Sequence, residues 1–266
     1  MDHMHHALPH DWSTFYIILS YVIAALASYV SLEVAARAGQ RPAHGRGRVW
    51  LMAQAFLLGY GIWAMHFVGM LAFQVSASVS YHLPLTILSG FLAVALMYPA
   101  LLILHSGPLR LPRLLLAGTV SGSGIVLMHY LGMLAFQISG TQVVMNWGAF
   151  AASVAIAVGA SMAAFYLFRL VSSTRAGRLS TVALTGLKAG AGLVMGAAIV
   201  SMHYTGMAAW QLNVVNGDLL YRSGGGVDTD LLALVISVVS IVLLSLTVTK
   251  LLMDASLAPT AANSVN

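Results

Sequence analysis

The chain has 266 residues, of which 59% are hydrophobic and 7% are charged, whereas ordinary soluble domains contain about 25% charged residues. So few charges cannot cover a water-soluble surface, which excludes a soluble globular fold. The net charge of +5 comes from basic residues in short clusters between apolar runs, a distribution typical of membrane-flanking loops and not of a nucleic-acid-binding surface. The absence of cysteine excludes disulfides and thiolate metal ligands.

Seven apolar stretches reach the length of roughly 20 residues that a helix needs to cross a bilayer. They occupy residues 13–36, 49–74, 84–104, 113–138, 147–170, 182–210 and 231–253. The sequence therefore predicts an all-α integral membrane bundle of seven transmembrane helices within residues 13–253. Residues 1–12 are predicted to form an external His-rich tail, and residues 254–266 a cytoplasmic tail or linker stub.

The basic residues predict the orientation of this bundle. All Lys and Arg residues except Arg222 lie near the loops that join helices 1 and 2, 3 and 4, and 5 and 6, or near the C-terminal end of helix 7. The positive-inside rule then predicts an N-terminus outside the cell and a C-terminus in the cytoplasm, with the lipid bilayer as the surrounding medium.

A ten-residue motif occurs three times in the chain. The copies are MHFVGMLAFQ at 65–74, MHYLGMLAFQ at 128–137 and MHYTGMAAWQ at 202–211. Two predicted helices fit between successive copies, so each motif is expected near the external end of helix 2, 4 or 6. A glycine also occurs seven residues before each motif histidine, at Gly59, Gly122 and Gly196.

The motif spacing predicts that polar groups from the three helices converge. At about 3.6 residues per turn, His66 and Met70 share one helix face, and the other two copies repeat this geometry. If helices 2, 4 and 6 are adjacent, three imidazoles and three thioethers meet at one depth in the membrane. The glycines within the motifs would allow the close approach of the helices, and they are Gly69, Gly132 and Gly206.

Imidazole is a common metal ligand, and thioether suits Cu(I), so the motifs favour copper. Zinc gains little from methionine, and haem needs a larger pocket, which disfavours both. The predicted ligands are His66, Met70, His129, Met133, His203 and Met207. Secondary or neighbouring positions are Met65, Met128, Met202, Tyr130 and Tyr204. The alternative is that the histidines bond to neighbouring helices and the methionines only fill space.

The N-terminus offers a second candidate site. His3 is the third residue of the chain, counted from the free amine of Met1. The amine, the backbone nitrogens and the imidazole together could form the tetragonal nitrogen site that Cu(II) prefers. The alternative reading of this segment is a solvated polar tail.

The repeated M-H-[FY]-x-G-M pattern on alternate helices resembles the bacterial MHYT integral membrane sensor domain, and the resemblance covers nearly the whole chain. The first copy differs in having Phe67 where the family name has tyrosine. The resemblance implies a signalling protein of the bacterial inner membrane. It further implies that the motif Met and His residues bind copper and that the protein senses a diatomic gas such as oxygen, carbon monoxide or nitric oxide, or another small ligand.

Members of that family often carry cytoplasmic output domains. The sequence after Met253 contains none, so we expect this chain to have no enzymatic activity. Either it signals through a separate cytoplasmic signalling protein, or the sequence is a truncated part of a longer protein. Two other functions remain open. A copper-handling transporter would need ligands across the whole membrane, and a membrane metalloenzyme would need acids or bases in the helix cores, where this sequence has almost none.

Overall fold

The computed structural model describes residues 6–38, 46–138, 140–173, 179–214 and 227–228, and eleven positions between 231 and 249. Six long helices lie in these residues: α1 Thr14–Ala38, α2 Arg46–Met70, α3 Leu83–His105, α4 Leu111–Ala135, α5 Trp147–Val171 and α6 Thr181–Ala209. Each is long and apolar enough to cross a membrane. The prediction of a helical membrane bundle is confirmed, and the chain is a multi-pass membrane protein.

The described positions between 231 and 249 belong to the seventh predicted span, and all of them are helical. Ile236 is buried in the core, and the Ser240 hydroxyl lies 3.4 Å from the Tyr60 hydroxyl of α2. This part of the chain therefore packs against α2. Residues 250–253 lie outside the described residues, and a complete seventh span stays a prediction.

The six long helices form a closed ring. Helices that follow each other in the sequence pack side by side, and α6 packs against α1. In addition, α2, α4 and α6 contact one another. These three motif-bearing helices therefore line the axis of the bundle, while α1, α3 and α5 pack between them on the outside.

Glycines set the distance between each inner helix and one outer helix. A Cβ built at the glycine seven residues before a motif histidine would lie 2.8–2.9 Å from a backbone Cα of α3, α5 or α1. Real Cβ atoms essentially never come so close to backbone. Only glycine therefore permits these three helix contacts, which involve Gly59, Gly122 and Gly196.

Short strands cover the end of the bundle at which α2, α4 and α6 finish. They are β1 His6–Ala7, β2 His10–Trp12, β3 Phe73–Val75, β4 Val79–Tyr81, β5 Phe136–Ile138, β6 Thr141–Met145, β7 Trp210–Val214 and β8 Val227–Asp228. They pair antiparallel in three small sheets, in the orders β1-β7-β6, β2-β3 and β5-β4-β8. We call this layer the strand cap.

The strand cap corrects the predicted C-terminal ends of three spans. Helices α2, α4 and α6 end at Met70, Ala135 and Ala209, before the predicted ends at 74, 138 and 210. The sequences FQV, FQI and WQL that follow alternate apolar and polar residues, which is the period of a half-buried strand. Their backbone groups find partners in neighbouring strands, so a further helical turn is not needed. Residues 6–7 and 10–12 of the predicted external tail also lie in the cap.

The opposite end of the bundle carries the basic residues. Arg110 is the N-cap residue of α4 and Arg113 lies in its first turn. Arg169 in the last turn of α5 donates to the Gly107 carbonyl at 3.2 Å. Lys188 of α6 forms an ion pair of 2.9 Å with Glu33 of α1. Basic residues and strand cap thus occupy opposite ends, and the orientation of these ends across a membrane stays a prediction.

The glycine contacts can be tested by adding a single methyl group. We expect Gly122→Ala to lower the free energy of unfolding by about 1–3 kcal/mol, because α4 and α5 must move apart. Gly159→Ala is the matched control, since a Cβ at Gly159 meets nothing within 4 Å and alanine is the better helix former by about 1 kcal/mol. The measurement is the midpoint of thermal denaturation in detergent. Equal midpoints for the two variants would contradict the packing argument.

Candidate metal centre

Three histidines, one from each motif helix, meet on the axis of the bundle. The Nδ1 atom of His66 lies 3.1 Å from that of His203 and 3.1 Å from that of His129. The ring centroids are 4.9–5.3 Å apart, and the ring planes are nearly perpendicular to one another. All three side chains are at most 1% exposed. We call this cluster the trihistidine centre.

Each imidazole of the trihistidine centre rests against a glycine of the next motif helix. The pairs are His66 with Gly132, His129 with Gly206, and His203 with Gly69. A Cβ at any of these glycines would overlap the Nε2 atom of the ring and lie 2.8 Å from its Cδ2 atom. The glycine three residues after each histidine therefore leaves space for the imidazole of another motif helix.

The hydrogen bonding of the three rings is incomplete within the described part of the chain. Their Nε2 atoms face glycine backbones, as His129 does at Gly206 and His203 at Gly69, yet none forms a hydrogen bond of good geometry. At the centre, a neutral Nδ1 atom carries either a proton or a lone pair. His66 Nδ1 faces the Nδ1 atoms of both His129 and His203. With three neutral rings, hydrogen bonds therefore cannot satisfy all three Nδ1 atoms. If the lone pairs of all three Nδ1 atoms point at one cation, each ring carries its proton on Nε2, where it faces a glycine backbone.

The distances fit a metal ion. Bonds of about 2.0 Å, the usual length between zinc and imidazole nitrogen, separate two tetrahedral ligands by about 3.3 Å. The Nδ1 separations of 3.1 Å come within a few tenths of an ångström of this value, and one nitrogen from each of the three rings lies within 4.8 Å of the others. Neutral imidazoles without a carboxylate suit copper, zinc, iron or nickel, and not magnesium or calcium.

The predicted methionine ligands form two sets of three beside the trihistidine centre. The first methionine of each motif precedes the histidine and is buried, at Met65, Met128 and Met202. The second lies one helical turn beyond the histidine, about 6 Å nearer the strand cap. All three members of this second set are buried and line one chamber of about 580 Å³ below the cap, and they are Met70, Met133 and Met207. Thioether ligation of a metal stays a prediction.

The aromatic residues after the histidines face the outer helices. The Tyr130 ring packs edge-on against His129, and its hydroxyl bonds to Ser153 of α5 at 2.8 Å. The Tyr204 ring flanks His203 in the same way, with its hydroxyl 3.3 Å from Ser20 of α1. These two phenols therefore tie motif helices to outer helices and point away from the three Nδ1 atoms.

Phe67 of the first copy has Tyr81 of β4 beside it, with ring centroids 5.7 Å apart. Tyr81 is 1% exposed, and its hydroxyl has no partner in the described part of the chain. Burial raises the pKa of the Tyr81 hydroxyl, which therefore stays protonated. A phenol absent from the first motif is thus present nearby, on a different element.

The second candidate from the sequence, His3, lies outside the described residues. The N-terminal segment nevertheless contributes to the site, because His10 and Trp12 line the chamber below the strand cap. Sequence reasoning missed both residues. The sequence signal for the strand cap is the alternating FQV, FQI and WQL pattern after the motif helices. That pattern indicates strands but does not show that residues 10–12 pair with one of them.

The glycine contacts of the trihistidine centre yield a direct prediction. We expect Gly132→Ala to displace the His66 ring, because the added methyl group overlaps its Nε2 atom. The side-chain nitrogen NMR signals of the histidines should shift in this variant. Gly186→Ala, whose Cβ would meet nothing within 4 Å, should leave them in place. Unchanged histidine signals in Gly132→Ala would refute the contact.

Comparison with known proteins agrees with this geometry. The family model MHYT, described as a bacterial signalling protein N-terminal repeat, matches residues 59–117, 122–184 and 196–262. Each matched segment begins at the glycine that sets the contact with an outer helix. No solved structure matches the chain.

The chain is similar to curated signalling proteins of several bacteria. The bifunctional diguanylate cyclase/cyclic di-GMP phosphodiesterase MucR of Pseudomonas aeruginosa is 40% identical over 91% of this chain and 34% of its own length. The cyclic di-GMP phosphodiesterase NbdA of the same species is 38% identical over 76% of this chain and 25% of its own length. The signaling protein YkoW of Bacillus subtilis is 34% identical over 74% of this chain and 24% of its own length.

The chain thus spans a quarter to a third of the length of these relatives. The family model covers more than half of the chain, in three segments that each contain one motif. This protein therefore belongs to the MHYT family of bacterial membrane signalling proteins, as the repeated motif predicts.

Proposed function

We propose that this protein is a sensor of the bacterial inner membrane that binds copper at the trihistidine centre and detects a small diffusible ligand such as oxygen, carbon monoxide or nitric oxide. The observation that carries this proposal is the convergence of three buried imidazoles, one from each repeat. Polar groups inside a membrane are costly, so a cluster of three without complete hydrogen bonding favours a bound ligand.

The donor set supports copper. Three imidazoles, with three thioethers one turn away, form a soft neutral set without charged ligands, which suits Cu(I) better than zinc. Ring centroids only 4.9–5.3 Å apart leave no room for a porphyrin between the histidines. Copper held by three imidazoles would supply a coordination position open to a diatomic molecule.

The packing of the imidazoles supports a signalling role. Each ring belongs to one motif helix and rests against another, so a shift of one ring changes a contact between two helices. All three motif helices extend from the trihistidine centre to the basic end of the bundle. A ligand with different affinities for two arrangements of these helices would shift the balance between them.

We propose that a separate cytoplasmic signalling protein or module reads this change at the basic end of the bundle. The names of two relatives point to cyclic di-GMP synthesis or hydrolysis as one form of output. In this proposal, residues of the membrane bundle bind and sense, and the chemistry of the output takes place elsewhere.

Metal analysis tests the trihistidine centre. We expect protein purified from copper-containing medium, without a polyhistidine tag and with His3→Ala, to hold about one copper ion per chain. Alanine at His66, His129 and His203 together should reduce this content at least tenfold, because all the imidazole ligands are lost. The measurement is elemental analysis for copper, zinc and iron.

The matched control combines His82→Ala with His105→Ala. These histidines lie on or beside α3, outside the trihistidine centre, and their removal should leave the copper content unchanged. Equal loss of copper in the control, or no metal in the parent protein, would argue against a copper centre and leave the motifs as packing elements.

A second measurement separates thioether ligation from packing. Leucine at Met70, Met133 and Met207 preserves apolar volume but removes the sulfur atoms. If the thioethers are ligands, this triple variant should retain copper under oxidising conditions but should bind Cu(I) at least tenfold more weakly than the parent protein. The infrared band of added carbon monoxide should weaken or shift accordingly. Wild-type Cu(I) affinity together with an unchanged carbon monoxide band would mean that these methionines only pack.

A further inference from the structure

The chamber below the strand cap is larger than the proposed gas ligands require. Its volume is about 580 Å³, whereas a molecule the size of water takes up about 30 Å³ in the liquid. Pockets that bind small organic molecules typically measure about 300–1,000 Å³. The size of the chamber is therefore that of an organic ligand.

Five aromatic side chains line the chamber. The rings come from four strands and from α6, and they belong to Trp12, Phe73, Phe136, Tyr204 and Trp210. Trp12 packs edge-on against both Phe73 and Tyr204, with ring centroids 5.6 Å apart in each case. Thioethers of the second motif methionines line it as well. Aromatic and thioether surfaces together favour a flat, conjugated ligand.

The polar groups of the chamber are few in the described residues. No Asp, Glu, Lys or Arg lines it. The Nε1 atom of Trp210 is buried and has no hydrogen-bond partner in the described part of the chain. Indole nitrogen can only donate a hydrogen bond. The amides of Gln211 and Asn213 also line the chamber, as does His10, whose Nδ1 atom already bonds to the Leu8 carbonyl at 2.9 Å.

We propose that the chamber binds an uncharged, flat, conjugated organic molecule with a carbonyl acceptor, the chemical class that includes the quinones. The ring of such a molecule packs against the aromatic side chains of the chamber. Because Trp210 Nε1 is buried in this structure, we expect the ligand to turn the indole ring so that Nε1 donates to the ligand carbonyl oxygen. No Asp, Glu, Lys or Arg in the described lining would balance a charged ligand. This site uses residues of the strand cap and the last turns of the motif helices, so it does not require a metal at the trihistidine centre.

Equilibrium dialysis of duroquinone against the full chain in detergent tests this proposal. Duroquinone has no free ring position for nucleophilic addition, and the chain has no cysteine thiol. Micelles without protein give the partition background, which is linear in concentration. We expect saturable binding of one molecule per chain above this background.

Two variants locate the bound molecule. Trp210→Phe keeps an aromatic wall but removes the donor, and should weaken binding about threefold to tenfold. Ala208→Phe places a ring in the chamber, which Ala208 lines, and should weaken binding more than tenfold. Trp147→Phe is the control, because Trp147 is 70% exposed at the start of α5, does not line the chamber and should bind like the parent.

The outcomes are distinct from those of the copper measurement. Saturable binding in the parent prepared without added copper and in Trp147→Phe, with the expected losses in the two chamber variants, would support the proposal. Uptake no greater than that of the micelles would overturn it. Saturable binding that neither chamber variant weakens would place the quinone elsewhere and would also overturn it.

Discussion

The contact of each motif imidazole with a glycine of the next motif helix is the interaction on which the rest of this structure depends. The contacts run from α2 to α4, from α4 to α6 and from α6 back to α2, so they close a cycle. Because each ring both approaches its two counterparts and fills the space beside a glycine, the position of one helix fixes the positions of the other two. The three polar side chains are thereby held in an apolar interior where each would be costly alone.

This cycle explains why three copies of the motif are needed. One motif helix presents an imidazole and a glycine, and both have partners only when two more copies are present. The glycine seven residues before each histidine then attaches an outer helix to each inner one in the same way. The ring of six helices follows from repetition of one local pattern, as in other repeat architectures in which a unit buries its apolar face only against its neighbours.

Much of the bundle and of the trihistidine centre could be predicted from the sequence. Apolar runs of sufficient length predicted α1 to α6, and equal depth on alternate helices predicted that His66, His129 and His203 would meet. Those features depend on short-range periodicity, which a single sequence displays. The resemblance of the motifs to the MHYT family was confirmed by the family match.

The strand cap and the chamber could not be predicted because they depend on distant pairings. His6 pairs with Val214, and His10 with Val75, and segments of two to five residues carry too little periodicity to indicate such partners. His10 and Trp12 become chamber residues only through these pairings. The complete seventh span, the orientation of the bundle and the candidate His3 remain predictions from the sequence.

The two layers of the site have different physical characters. The imidazole layer is sealed by the helix contacts, whereas the thioether layer faces a chamber sized for an organic molecule. A molecule in the chamber therefore contacts thioethers before it reaches any imidazole. Methionine is unbranched and adapts its shape to a neighbour, so occupancy of the chamber can change the packing one turn from the histidines. Both layers belong to the same three helices, so the proposed ligands of either layer would act on the same set of helix contacts.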